Sequence, residues 1–207
     1  MTSLAPTPLV RLELDPGAAV WCKLEFLNPS GSTKDRIARY ILEHALREGA
    51  LGKGDLVIEA SSGSTSIAMA LACAQRGLRF MAVMPEGVSN ERTLMIRAFG
   101  GEIRMTSREA GIRGALNESE ALARECNAFL PRQFSNPRNA EAHQFGTAAE
   151  IQAALPHVSA VAAESAPEAP SSGCSTAAPV RFRFTQDRSI TSPQIPSAAA
   201  SAHAFQE

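Results

Sequence analysis

An α/β fold built on an open parallel sheet is predicted by three features of the sequence. Short apolar runs alternate with amphipathic helical patterns along 34–127. Glycine, proline or small polar residues punctuate the junctions between them. The helical stretches are long enough to carry the chain back across a sheet, which parallel strands require and antiparallel hairpins do not.

Taken in order, the runs 7–12 and 19–25 are separated by Asp15-Pro16-Gly17, a pattern that predicts a strand pair. Over 34–48, Ile37, Ala38, Ile41, Leu42 and Ala45 recur at helical spacing and Gly49 supplies a stop, so an amphipathic helix is expected. The run 55–60, with Leu56-Val57-Ile58 at its centre, reads as a buried strand. Ser61-Ser62-Gly63-Ser64-Thr65-Ser66 then turns into a helix over 67–76, closed by Gly77. A strand over 78–84, a helix over 89–99, a strand over 102–106 and a helix over 111–127 follow, the last with Leu116, Ala121 and Leu122 inward.

Composition narrows the function. The chain has 207 residues, 44% of them hydrophobic, which is ample for a core. Twenty Lys and Arg stand against 21 Asp and Glu, for a net charge of −1, and the arginines are scattered. Nucleic acid and anionic membranes are therefore not expected partners. The first residues carry no charged segment followed by an apolar one, and no apolar run is long enough to span a bilayer, so a cytoplasmic location is expected. Cys22, Cys73, Cys126 and Cys174 lack Cys-x-x-Cys spacing, which predicts reduced, mostly buried thiols. His44, His143, His157 and His203 are isolated, and no metal site is expected.

Two segments carry chemistry. Asn28-Pro29-Ser30-Gly31-Ser32-Thr33-Lys34-Asp35-Arg36 ends a strand and opens a helix, so it presents Lys34 at a helix N-terminus. The partial positive charge there favours the neutral amine, which is the nucleophilic form. A solvated surface lysine is the competing reading. The second segment is 61–66, between a strand and a helix, where small residues let backbone N–H groups converge on an anion. Taken alone it fits a carboxylate clamp or an ordinary capped turn. A nucleotide phosphate loop is the weakest reading, because that loop needs a lysine.

Lys23-Leu24-Glu25, the loop 28–36, Glu59-Ala60-Ser61-Ser62-Gly63, Met84-Pro85-Glu86 and Gln133-Phe134 with Asn136-Pro137 occur in unbroken order along 7–163. Together they resemble the cysteine synthase and cystathionine β-synthase family, pyridoxal 5'-phosphate-dependent enzymes of fold type II. The resemblance implies that Lys34 forms the Schiff base with pyridoxal 5'-phosphate and later moves the substrate α-proton. It implies that Ser61, Ser62, Gly63, Ser64 and Thr65 clamp the α-carboxylate of a small amino-acid substrate, with Gln133 assisting. It also implies a homodimer, although much of that interface is not expected in a chain of this length. The family usually reads Thr-Ser-Gly-Asn-Thr-Gly in this turn, where the asparagine bonds the cofactor's phenolic oxygen. Here Ser64 and Ser66 replace the asparagine and the last glycine. Ser64 still offers a hydroxyl donor from a shorter side chain.

A larger departure follows position 163. Family members run from the strand matching 157–163 into a glycine-rich loop that holds the cofactor phosphate. This chain has Glu164-Ser165-Ala166-Pro167-Glu168-Ala169-Pro170-Ser171 instead. Each proline removes a donor and each carboxylate repels phosphate. Deleting one G from GGA GTC GGC ACC GGA GGC ACC ATC, a possible coding of the family loop, yields codons for that replacement. The stretch 164–207 is accordingly expected to be an out-of-frame, disordered tail.

The expected organisation is a three-layer small domain over 37–149, with 1–36 and 150–163 belonging to a large domain that is mostly missing. Leu9, Val10, Val20 and Trp21 would then be left exposed and the chain poorly soluble or partly folded. Three function classes follow. The first is pyridoxal-phosphate-dependent β-replacement or β-elimination on an activated serine or cysteine, with O-acetylserine plus sulfide as the leading reaction and cysteine desulfhydration as its variant. The second is a noncatalytic remnant of such an enzyme, and the third is an unrelated anion-binding module.

Overall fold

The structure, a computed structural model, describes residues 4–15, 18–163 and 180–182. Strands β3 (Leu56–Ala60), β4 (Arg79–Pro85) and β5 (Glu102–Thr106) form a parallel sheet in the order β3-β4-β5, with Ile58 opposite Met81 and Ala82 opposite Ile103. Phe129 adds a parallel bridge to Val57 on the outer edge of β3. Helices α1 (Lys34–Arg47), α2 (Ser64–Ala74), α3 (Asn90–Ala98) and α4 (Gly111–Glu125) cover the sheet.

Two apolar clusters show why the sheet is parallel. Ile41 and Leu42 of α1, Met69 of α2 and Ile96 of α3 pack with Val57, Phe80 and Met84 on one face. Ile58, Ala60 and Val83 meet Ala115 of α4 on the other. Burial on both faces explains why β3 and β4 read as continuous apolar runs rather than alternating ones. The expected elements from 34 onward are present with small boundary shifts, the largest being α2, which begins at Ser64 rather than at 67. In α4 the inward stripe sits one position off the expectation. Ala115, Ser119 and Ala123 are buried, Leu116 and Leu122 are half-buried, and Ala121 is exposed.

Before the sheet, β1 (Leu9–Asp15) and β2 (Ala18–Lys23) pair antiparallel, with Leu9 opposite Lys23, as their sequences predict. The turn residues Pro16 and Gly17 lie outside the described residues. A single turn of 3-10 helix, Glu25–Leu27, leads to the loop before α1. Trp21, Phe26 and Leu27 are exposed, while Leu9, Val10 and Val20 are half-buried rather than open.

Beyond α4, helix α5 (Arg138–Ala142), a π-helical turn His143–Ala148 and helix α6 (Ala149–Ala154) return the chain to α1. Strand β6 (Val161–Ala163) pairs antiparallel with β7 (Val180–Phe182). The expected tail over 164–207 otherwise lies outside the described residues; at 180–182 the chain is strand rather than structureless. Of the thiols, Cys73 is buried, which pushes it up to about 12, and Cys22 is half-buried. Cys126 is exposed, against expectation, because it follows the last turn of α4 on the solvent side. Cys174 lies outside the described residues. Among the described residues, no helix is long and apolar enough to cross a membrane.

What fastens the ribbon to α1 and α6 is an ion cluster around the buried Arg36. Arg36, 5% exposed, donates from Nε to Glu25 Oε2 at 2.6 Å and from Nη1 to Glu150 Oε1 at 2.6 Å. Its Nη2 donates to the second oxygen of each carboxylate at 2.8 Å. Lys23 Nζ reaches Glu150 Oε2 at 2.6 Å and Thr7 Oγ1 at 2.6 Å, and Thr7 Oγ1 donates to Glu25 Oε1 at 2.6 Å. Two cations meet two carboxylates through forked hydrogen bonds, which is the geometry that offsets the desolvation of buried charge. Burial pushes the Glu25 carboxyl up, but hydrogen bonds from Arg36, Thr7 and Asn28 together with the Arg36 charge outweigh it and hold it at about 2.

Replacing Arg36 with Met leaves Glu25 and Glu150 facing each other without their shared cation. Urea denaturation should then show a loss of about 3–5 kcal/mol. The intact chain should lose stability in acid in a defined window. Because the folded Glu25 lies below its ordinary 4.5, its contribution is complete above that value and disappears as the pH falls toward about 2. An acid titration of the Arg36→Met chain should lack that step.

Candidate active site

Local backbone demands build the start of α1. Asn28 is pinned by its amide, which donates to the Glu25 carbonyl at 2.9 Å and to Glu25 Oε2 at 3.0 Å. The Gly31 N–H bonds the Asn28 carbonyl at 2.8 Å, and Gly31 adopts φ 85°, a left-handed conformation that a side chain disfavours. Asp35 folds back to accept the Ser30 N–H at 3.1 Å, and the Lys34 N–H donates to Ser32 Oγ at 3.2 Å. Lys34 is thus the first residue of α1, half-buried, two positions before the clamped Arg36.

His143, in the π-helical turn, faces this end of α1. Burial lowers its pKa, and the Lys34 and Arg36 charges lower it further. Its Nδ1 lies 3.0 Å from Thr147 Oγ1. The imidazole is therefore neutral at pH 7 and adds no positive charge beside Lys34.

The turn 61–66 forms where β3 runs out. Ser61 extends the ladder by one bond, its N–H to the Val83 carbonyl at 3.1 Å, and its Oγ accepts the Gly63 N–H at 3.0 Å. The N–H groups of the first residues of α2, Ser64, Thr65 and Ser66, have no acceptor within the helix. The turn is therefore electropositive and suited to a carboxylate. Arg92 of α3 lies across it, Nη1 donating to the Ser62 carbonyl at 2.7 Å, and its side chain fills the space a Cβ at Gly63 would need.

Two of the sequence-predicted residues, 68 positions apart, meet here. Thr65 Oγ1 donates to Gln133 Oε1 at 2.6 Å, and Gln133 Nε2 donates to the Ala60 carbonyl at 2.9 Å. Ser61, Gly63 and Thr65 are buried, while Ser62 and Ser64 are exposed at the mouth of the turn. Lys34 stands at the opening of α1, which packs along α2.

Sequence reasoning passed over Arg92, His143 and Glu59. Glu59, 1% exposed, lies under the turn and accepts the Gln133 N–H at Oε2, 3.3 Å. A glutamate inside the apolar run of β3 was the available signal, since a carboxyl group there must be sealed between layers.

An amine at a helix opening and an electropositive turn lined with hydroxyls are groups whose chemistry fits an aldehyde and a carboxylate, respectively. The segment 164–171, which stands where the resemblance places a glycine-rich phosphate loop, lies outside the described residues.

Comparisons with known proteins identify the family and the fold. Residues 1–179 match the family described as pyridoxal-phosphate dependent enzyme. A cysteine synthase of Staphylococcus aureus is 41% identical over 148 residues, 70% of this chain and 48% of the relative. Among solved structures, O-ureido-L-serine synthase superposes with a TM-score of 0.71 at 39% identity, covering 73% of this chain and 48% of that one. A hydrogen sulfide-producing enzyme of Fusobacterium nucleatum superposes with a TM-score of 0.70 at 38% identity, covering 74% of this chain and 52% of that one. The chain spans about half the length of the curated relatives it matches.

One polar atom in the turn is unsatisfied. Ser66 Oγ is buried with no hydrogen-bond partner. A helical serine commonly bonds the carbonyl four residues back, and that carbonyl, on Ser62, accepts from Arg92 but not from Ser66. An unmet buried hydroxyl costs about 1–3 kcal/mol. Ser66→Ala should therefore stabilise the chain by about 1 kcal/mol, read as a raised urea midpoint at unchanged slope; a lowered midpoint would mean that the hydroxyl is bonded.

Proposed function

Because the chain belongs to the family of pyridoxal-phosphate dependent enzymes, we propose that it carries the lysine and carboxylate-binding half of a cysteine synthase-like site. The reaction class is β-replacement or β-elimination on an activated serine or cysteine, with O-acetylserine plus sulfide giving cysteine as the leading case. The observation that supports this most is the Thr65–Gln133 bond of 2.6 Å, which closes the mouth of α2 beside the helix that opens with Lys34.

When bound, pyridoxal phosphate supplies an electron sink for the carbanion left at the substrate α-carbon. In this reading Lys34 Nζ holds the cofactor and then moves the α-proton, for which its amine must be neutral part of the time. Neutral His143 behind it leaves that equilibrium undisturbed by a further cation. The N–H groups of Ser64, Thr65 and Ser66 grip the substrate carboxylate and so fix which face of the α-carbon Lys34 meets. Gln133, through Thr65, keeps the first turn of α2 from fraying. Ser64, exposed at the mouth, takes the place where relatives carry an amide and offers the cofactor ring a shorter donor.

Residues 1–36 and 150–163 would belong to a second domain and 37–149 to the small one, with 164–207 out of frame and catalysis weakened accordingly. A small amino acid is the proposed substrate, and the cytoplasm, where thiols stay reduced, the proposed compartment. Hydrogen sulfide release from cysteine is a second reading, favoured by the likeness to the Fusobacterium nucleatum enzyme of that description.

Adding pyridoxal phosphate should produce at most a weak visible absorption band, since 164–171 lacks the glycine-rich loop, and borohydride should fix the pyridoxyl group on the peptide containing Lys34. Lys34→Ala should abolish both signals. A band that persists in that variant would contradict the assignment. Sulfide released from cysteine alone, without cysteine formed from O-acetylserine and sulfide, would favour the second reading.

A further inference from the structure

We infer that Glu59 is a positioning residue: its carboxyl group, sealed beneath the 61–66 turn, fixes the backbone at residues 132–133 and through it the Gln133 bond to Thr65. The inference rests on the proposed reading of that turn and goes beyond it by assigning the group that holds it in shape.

Glu59 is 1% exposed in β3, one residue before the strand's last, and its Oε2 accepts the backbone N–H of Gln133 at 3.3 Å. Arg132 has φ 53°, a left-handed conformation that a non-glycine residue keeps only when its surroundings impose it. Its side chain is exposed, so the restraint comes from the backbone: its carbonyl accepts the Ser135 and Asn136 N–H groups at 3.0 and 2.9 Å, and the next N–H, of Gln133, donates to Glu59 Oε2 at 3.3 Å. From this bend Gln133 is aimed inward, and three further bonds hold it. Thr65 donates to Oε1, Nε2 reaches the Ala60 carbonyl, and Asn139 Nδ2 donates to the Gln133 carbonyl at 2.9 Å. An apolar residue at 59 would fill the space but leave the Gln133 N–H without its acceptor.

Burial pushes the Glu59 carboxyl up to about 8, and the backbone donors only partly offset this. The group is therefore uncharged at pH 7. An ionised carboxylate there needs hydration that the closed packing withholds, so ionisation favours opening of the 132–133 bend. In the open form the carboxyl returns to its ordinary 4.5. Opening should therefore become about tenfold more favourable per pH unit between that value and about 8, and level off above it.

The test is amide hydrogen exchange of Gln133 in the full chain, expressed as a protection factor so that base catalysis cancels. Protection should fall about tenfold per pH unit up to about 8 and then level. In Glu59→Gln it should be independent of pH, and in Glu59→Ala low throughout. Protection independent of pH in the unaltered chain, or unchanged in Glu59→Ala, overturns the inference. If Glu59→Ala does not fold, the comparison of the unaltered chain with Glu59→Gln still decides. Acetate added as a probe separates this from the reading beneath it. Failure of acetate to shift the Ser64 and Thr65 amide signals would sink the carboxylate turn while leaving the Gln133 profile intact.

Discussion

The Arg36 guanidinium is the constraint on which the arrangement turns. It is buried two residues into α1 and holds Glu25 before the helix and Glu150 far after it. A forked cation clamped on both sides cannot rotate, so α1 is locked about its axis and Lys34 is aimed by the same lock. The apolar stripe of Ile37, Ile41 and Leu42 gives α1 its burial, but a stripe tolerates rotation that a bidentate pair does not. The ribbon is attached in the same way, through Lys23 and Thr7. It presents Trp21, Phe26 and Leu27 outward and is tied to α1 and α6 by charge.

The two halves of the site are organised by different physics. At Lys34 the environment is electrostatic: a helix opening, a buried guanidinium and an imidazole that burial keeps neutral. At the turn it is hydrogen-bond supply, with N–H groups at the start of α2 and a relay from Thr65 through Gln133 to the backbone of β3. Arg92 lies over the turn and donates to the Ser62 carbonyl, and the Ser66 hydroxyl has no hydrogen-bond partner.

Much of this was legible in the sequence because it is written in local patterns. The helical spacing of Ile37 to Ala45, the apolar run Leu56-Val57-Ile58 and the glycine stops all act over a few residues, and the parallel direction of the strands follows from their helical crossovers. The N-terminus of α1 at Lys34 was readable for the same reason. The Arg36 cluster was not, because its partners lie 11 and 114 positions away and no spacing rule joins them. Helices α5 and α6 and the π-helical turn were also missed. Their sequence, Arg138 to Ala154, is rich in alanine and polar residues without a clear apolar stripe, and packing on α1 decides their form. The inward face of α4 was misplaced by one position because small residues, Ala115, Ser119 and Ala123, fit closest to the sheet while larger ones flank them.

The most direct test of the account is the relative reactivity of the three lysines, Lys23, Lys34 and Lys53, toward a small soluble aldehyde under reducing conditions at neutral pH, read peptide by peptide. Lys34 should be modified first, the exposed Lys53 at the rate of an ordinary lysine, and Lys23, held by Glu150 and Thr7, last. Lys34 reacting no faster than Lys53 would contradict an amine prepared for carbonyl chemistry at the opening of α1.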